Sequence, residues 1–371
     1  MNLAALKKIV IKIGSSSLVD DDFRLREKWL ESLVEDIAKM KREGGKVIIV
    51  TSGAVALGRF KITREYRKLN LQEKQAAAAI GQPLLMSEYN KKFAEHKITT
   101  AQMLLTISDI EHRKSYLNAK NTIEALLEND IVPIINENDS VATEELRVGD
   151  NDRLSAMVAQ MVFADKLIIF SDIDGLYTDD PNKNKAAKFI SVVEKIDEKI
   201  EALAKGSGSK TGTGGMATKI EAAKIAAAAG CETVITSGKK NNPITSLASR
   251  AAKYTLFESD VSPNNARKKW ILNTLSIKGS IVVDAGAEKA LKQGKSLLPV
   301  GVVEVSGSFL KGDKVAVLNE SGREVAKGIT QYNSKDAEKI KRKKGDEIEE
   351  ILSHDFTKKY LVHADDMVLT K

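Results

Sequence analysis

Along most of the chain, short apolar runs rich in β-branched residues alternate with longer stretches whose apolar positions recur every three or four residues. The short runs, at residues 7–13, 46–51, 98–105, 131–136, 166–171 and 232–236, read as buried strands. Residues 25–42, 72–93, 115–128, 151–161 and 218–229 carry the helical period between them. In the first helix Leu30, Leu33, Val34, Ile37 and Ala38 form one stripe, which Gly44 and Gly45 end; in the second, Pro83 predicts a kink. Strand and helix in turn to about residue 252 predict a three-layer α/β domain, a mostly parallel sheet with helices on both faces. Beyond residue 278 the pattern shortens to strands at 280–284, 300–305, 314–318 and 324–329 with glycine-containing turns, a small β-rich unit. The polar stretch around Pro263, Asn264 and Asn265 reads as a linker, so the expected organisation is 1–257, a linker 258–277, and 278–371.

Composition narrows the class. With 371 residues, 42% hydrophobic and 29% charged, the chain is neither disordered nor fibrous and is long enough for two cores. Cys231 is the sole cysteine, no apolar run reaches membrane-spanning length, and Lys7, Lys8 and Lys12 interrupt any secretory leader, so a reducing cytoplasm is the expected setting. The net charge of +7 invites a nucleic-acid reading, but it is dispersed: residues 278–371 hold 17 Lys and Arg against 15 Asp and Glu. A diffuse positive bias suits anionic small molecules at least as well as a phosphate backbone.

In an open parallel sheet the chemistry lies just beyond the carboxyl ends of the strands. There the sequence places Lys12 beside Gly14 and three serines, Ser52 and Gly53 before a helix, and Asn136, Glu137, Asn138 and Asp139, with Asp150, Asn151 and Asp152 opening the next helix. Ser171 and Asp172 follow the fifth strand, and residues 206–219, GSGSKTGTGGMATK, bring backbone donors and Lys219 to a helix start. Each element alone has an ordinary explanation as a cap, turn or linker. Together, two lysines, glycine loops and Asp/Asn clusters are equipment for phosphoryl transfer. Other signatures fail: Lys289 stands where a Walker A glycine would precede Gly294, Lys295 and Ser296, and the G-x-G-x-x-A of Gly212, Gly214 and Ala217 comes too late in the domain for a dinucleotide fingerprint. The four histidines lack metal-ligand spacing, and no metal site is assigned.

Seven segments in order, VIKIGSSSL (10–18), VTSGAVALG (50–58), KQAAAAIGQPLLM (74–86), NENDSVA (136–142), GDNDRLSAMVA (149–159), SDIDGLYTDDP (171–181) and GTGGMATK (212–219), resemble the amino acid kinase family. The tail, with GSIVVDAGAEKAL (279–291) and GDKVAV (312–317), resembles a PUA domain, a small β-rich barrel. The resemblance implies phosphorylation of the γ-carboxylate of L-glutamate by ATP with Mg²⁺, the first step of proline synthesis. It implies Lys12 and Lys219 on the moving phosphoryl group with Asp150 organising them, and Ser52, Asp139 and Asn151 on glutamate. For ATP it implies Lys12, Ser171, Asp172, Thr213, Gly214, Gly215, Met216, Ala217, Thr218 and Lys219. A homo-oligomer, dimer or tetramer, and feedback inhibition by proline are also implied.

Residues 59–71, RFKITREYRKLNL, depart from the Gly/Arg-Pro pattern more usual in the family, which touches regulation and not the phosphoryl chemistry. Three alternatives stand beside this reading: a relative with another acceptor (aspartate, acetylglutamate, carbamate or a nucleoside monophosphate), an RNA-binding protein with a vestigial kinase fold, and a nicotinamide-dependent enzyme. The near-balanced charge of the tail gives little drive toward RNA, so it is expected to be structural or regulatory.

Overall fold

The computed structural model describes residues 7–141, 150–181, 183–206, 215–273, 276–352 and 358–370. The chain divides into two units, Met1–Pro263 and Asn264–Lys371.

Unit one begins with β1 (Lys8–Ile13), a one-turn helix α1 (Ser15–Leu18), α2 (Glu27–Arg42), β2 (Lys46–Val50), α3 (Ala54–Ile62) and α4 (Leu71–Glu95). Next come β3 (Thr100–Leu105), α5 (Ile107–Glu111), α6 (Arg113–Glu128), β4 (Val132–Glu137), α7 (Asp150–Val162) and β5 (Lys166–Ser171). The unit continues with β6 (Leu176–Tyr177), β7 (Phe189–Ile190), β8 (Val192–Val193), α8 (Glu198–Gly206), α9 (Met216–Ala228), β9 (Glu232–Ser237), α10 (Pro243–Ala248) and β10 (Tyr254–Phe257). The main sheet has the order β3-β4-β2-β1-β5-β9-β10-β8. Its first six strands run parallel, and β10 lies antiparallel to β9.

Alternation along each strand sends neighbouring residues to opposite faces. Ile9, Ile11 and Ile13 of β1 therefore enter one core with α2 and α4, where Trp29, Leu33, Ile37, Leu85 and Phe93 are buried. Val10 enters the other with α6, α7 and α9, among Ile123, Leu154, Val158 and Ile220. Each such side chain contributes about 1.5–3 kcal/mol on burial. The chain fills the sheet leftward from β1 with β2, β4 and β3, then crosses to β5. This reversal opens a crevice at the carboxyl ends of β1 and β5.

Pro83 sits inside α4, which runs unbroken through it as one element. The β6–β7 hairpin, β8 and β10 were not expected; three of these strands have two residues each, too few to show a period. The stretch expected to be a linker carries a helix, α11 (Pro263–Asn273), whose proline stands at its first position, where the missing N–H has no helical partner to lose.

Unit two contains β11 (Ile277–Val283), α12 (Ala285–Lys292), β12 (Val302–Gly307), β13 (Lys314–Asn319), β14 (Glu324–Thr330), α13 (Ser334–Ile340), α14 (Gly345–Leu352) and β15 (Val362–Leu369). Its strands form one mixed sheet in the order β12-β11-β13-β14-β15, over a core that includes Ile281, Val317, Tyr332, Ile340 and Leu361. Among the described residues no helix is long and apolar enough to cross a membrane.

Candidate active site

Lys12 falls on the same face of β1 as Val10, the face covered by α7 and α9, so its ammonium ends beneath those two helices. On α7, Asp152, Ser155, Ala156 and Ala159 are all fully buried at helical spacing, which puts a carboxylate on the core stripe. On α9 the buried stripe is Met216, Lys219, Ala222, Ala223 and Ala226.

These phases bring the three charges together. Lys12 Nζ lies 2.6 Å from Asp152 Oδ1, and Lys219 Nζ lies 3.1 Å from Asp152 Oδ2. Thr218 Oγ1 donates to the same Oδ2 at 2.9 Å. Asp152 is 0% exposed. Burial opposes its ionisation, but the ammonium groups of Lys12 and Lys219 hold the carboxyl below the ordinary carboxylate range. Burial lowers the Lys219 ammonium below the usual lysine value, and Asp152 only partly offsets this. One buried carboxylate thus serves two buried ammonium groups, and the Asp172 carboxylate adds a weaker attraction on Lys219.

The loop after β1 is braced from two sides. Arg26 donates to Ser17 O at 3.1 Å and to Lys239 O at 2.8 Å, and a side chain at Gly238 would stand 2.1 Å from Ser17 Oγ. Beyond β5, Ser171 donates to Asp172 Oδ1 at 2.9 Å. Asp172 borders a cleft of about 730 Å³, a volume usual for a small-molecule site, together with Asp174, Tyr177, Met216, Lys239 and Lys253. Gly215 at the α9 start has no side-chain cap, so among the described residues no side chain caps the first N–H groups of that helix, the kind of end that suits an anion.

On the other side of β1, the turn after β2 places Gly53 at φ +109°, a conformation that favours glycine, immediately before α3. Thr51 and Tyr89 share a hydrogen bond of 2.9 Å, which ties this turn to α4. Asn151 Nδ2 donates to Ser52 Oγ at 3.0 Å and to Asn136 Oδ1 at 3.2 Å. Asn136 Nδ2 donates to Gln82 Oε1 at 2.8 Å. Asp139 is half-buried in the turn after β4.

The structure therefore joins Lys12 with Lys219, Ser52 with Asn151, and Ser171 with Asp172. Thr218 spends its hydroxyl on Asp152 and on Gly215 O, and Ala217 is exposed at the start of α9. Thr213 and Gly214 lie outside the described residues, as does the side chain of Asp150. The contacts that organise the lysines are made by Asp152, which the sequence reading placed in the right cluster but gave no role. Its signal is the burial stripe of α7. Gln82 and Lys239 carried no such signal, since only the fold brings Gln82 to Asn136 and Lys239 to the cleft, whereas Tyr177 lies in the crevice segment that follows the fifth strand. Among the described residues no three His, Cys, Asp or Glu side chains are grouped to cage a metal.

The amino acid kinase family profile matches residues 7–237, and the PUA domain profile matches residues 279–352. A glutamate 5-kinase of Brucella anthropi is 50% identical over 363 residues, 98% of this chain and 96% of the relative. A glutamate 5-kinase of Brucella abortus is 51% identical over the same 98% and 96%. Among solved structures, a carbamate kinase from Giardia lamblia bound to AMP-PNP superposes with a TM-score of 0.50 at 16% identity, covering 69% of this chain and 100% of that one. The architecture of unit one, its lysine-rich crevice and these near full-length similarities converge: the chain belongs to the amino acid kinase family, with a PUA domain in its second unit.

Proposed function

We propose that the chain transfers the γ-phosphoryl group of ATP to the γ-carboxylate of L-glutamate, giving ADP and γ-glutamyl phosphate, the first step of proline synthesis. The observation that carries this is the pair of buried lysines, Lys12 and Lys219, on the single buried carboxylate of Asp152. A carboxylate oxygen attacks the γ-phosphorus as the bond to the bridging oxygen of the β-phosphate breaks. The nucleophile is already ionised at neutral pH, so no proton has to move, and catalysis reduces to alignment and charge neutralisation. The two ammonium groups serve that purpose, with Asp152 holding both in place.

ATP occupies the cleft bordered by Asp172, with Ser171 and residues 215–219 around its phosphates. Ser52, Asp139 and Asn151 hold glutamate. Mg²⁺ would come with the nucleotide and would neutralise phosphate charge. A homo-oligomer is supported by the outward side of α4, where Ala76, Ala79, Ile80, Pro83, Leu84 and Ser87 form an uncharged exposed stripe that suits a second copy of the chain. Proline inhibition at the glutamate side and a cytoplasmic setting complete the reading; the latter is supported by a lone, fully buried Cys231.

The test is ADP release from Mg-ATP with L-glutamate, L-aspartate, N-acetylglutamate, carbamate or UMP, with hydroxylamine present to trap acyl phosphate. Hydroxamate from L-glutamate alone is expected. Turnover of another acceptor would move the substrate assignment, and no turnover with salt-sensitive RNA binding would favour a vestigial kinase fold.

A further inference from the structure

The relay on the acceptor side of the cleft has a direction, and one backbone group sets it. The Glu137 N–H donates to Asn136 Oδ1 at 2.9 Å. A peptide N–H can only donate, so the oxygen end of the Asn136 amide is fixed. The other end, Nδ2, must then be the atom 2.8 Å from Gln82, and Gln82 answers with Oε1. The Asn151 atom 3.2 Å from the same Asn136 oxygen must likewise be a donor, so Nδ2 of Asn151 is committed to Asn136 and Ser52. What remains of Asn151 is Oδ1, a buried acceptor without a hydrogen-bond partner among the described residues.

We propose that Gln82 is a positioning residue for the amino-acid substrate: by accepting from Asn136 Nδ2 it anchors the second end of the amide whose sense the Glu137 N–H sets, and so holds Asn136 where Asn151 offers an oxygen to the α-ammonium of glutamate. A reversed relay would offer an NH₂ group to that ammonium, donor against donor. This rests on the reading that Asn151 contacts glutamate. The cost of the arrangement is visible at Gln82 itself, which is 8% exposed and whose Nε2 is buried without a hydrogen-bond partner among the described residues. Leaving a buried donor unpaired works against stability, so packing alone does not account for glutamine here.

The experiment measures KM for L-glutamate and for ATP, and the thermal midpoint, in the full-length Gln82→Met, Gln82→Glu, Asn151→Ala and Gln82→Met/Asn151→Ala enzymes. Gln82→Met orphans the Asn136 donor in place of its own, so the midpoint should hold. KM for glutamate should rise roughly tenfold or more while KM for ATP stays within about twofold. Gln82→Glu keeps an acceptor and should restore most of the loss. The double variant should be no worse than Asn151→Ala, because Gln82 acts through Asn151. A native glutamate KM in Gln82→Met beside a raised one in Asn151→Ala overturns the relay, as do additive losses. A native KM in Asn151→Ala overturns instead the placement of glutamate on Asn151.

Discussion

Two ammonium groups held by one fully buried carboxylate make Lys12, Asp152 and Lys219 a preorganised cluster, the proposed receptor for phosphate oxygens. Lys219→Ala should lower kcat by about two orders of magnitude or more with the fold intact, since it removes a charge contact that matters most in the transition state. Steady-state kinetics with a circular dichroism control decide this, and normal turnover would remove Lys219 from the chemistry. Asp152→Asn acts on stability instead, by removing the carboxylate that both buried ammonium groups share. A loss of about 3–5 kcal/mol in stability is expected on unfolding in urea. The pH signs follow from the direction of each shift. Asp152 ionises more readily folded than unfolded, so its contribution is complete above the ordinary carboxylate range and is lost as acid takes the pH through the depressed folded value. Lys219 sits below 10.5, so the unfolded chain binds that proton more tightly, and stability rises as pH climbs from the folded value toward 10.5. In the free enzyme, kcat/KM for ATP should therefore fall on an alkaline limb that lies below the ordinary lysine value. Asp152→Asn, lacking the anion that supports the ammonium, should move that limb to lower pH; an unmoved limb would uncouple the two residues.

At the scale of elements, the proposed acceptor side depends on how closely α3 and α4 approach. A Cβ at Gly58 would lie 1.9 Å from Ala77 O, and one at Gly81 would lie 1.8 Å from Ala54 O. Only glycine allows this contact, and it fixes α3, which starts directly after Ser52 and Gly53, against the helix carrying Gln82 and Tyr89. Gly81→Ala should force the helices apart, costing about 1–3 kcal/mol and raising KM for glutamate while sparing KM for ATP. Parallel loss of both KM values would mean that the contact supports the whole sheet. Such cross-element contacts are what the sequence hides. The Ile and Val runs of β1, β2, β4, β5 and β9 are legible because strands covered on both faces must be continuously apolar. Lys12, Ser52 and Lys219 are legible as polar residues where such runs or their helices end. Asp152 is harder to read than Asp150 because the two differ by two positions on a helix, nearly opposite in phase, and only the buried stripe through Ser155, Ala156 and Ala159 tells them apart. Gln82 is illegible, since its partner Asn136 lies 54 residues away and nothing local marks the pair.

At the scale of the whole molecule, each unit closes its own core. Both clusters around the large sheet draw only on residues up to Phe257, and the third draws only on residues from Ile281 onward. The two buried lysines, Asp152, the Gln82–Asn136–Asn151 relay and the cleft beside Asp172, which together make up the proposed site, all belong to unit one. Unit two has a separate economy of interactions: Arg267 with Asp366 at 2.9 Å, the Asp284 side chain capping α12 at 2.8 Å, and a mixed sheet over its own apolar side chains. A chain ending before Lys278 should therefore fold and retain glutamate-dependent hydroxamate formation, with KM values for ATP and glutamate close to those of the full chain. Thermal unfolding followed by circular dichroism establishes the fold, and the hydroxamate assay reads the activity. A folded, soluble truncation without turnover would show that unit two takes part in the site or in its assembly. Retained turnover with altered proline inhibition would instead assign that unit to regulation, where its small net charge is no handicap.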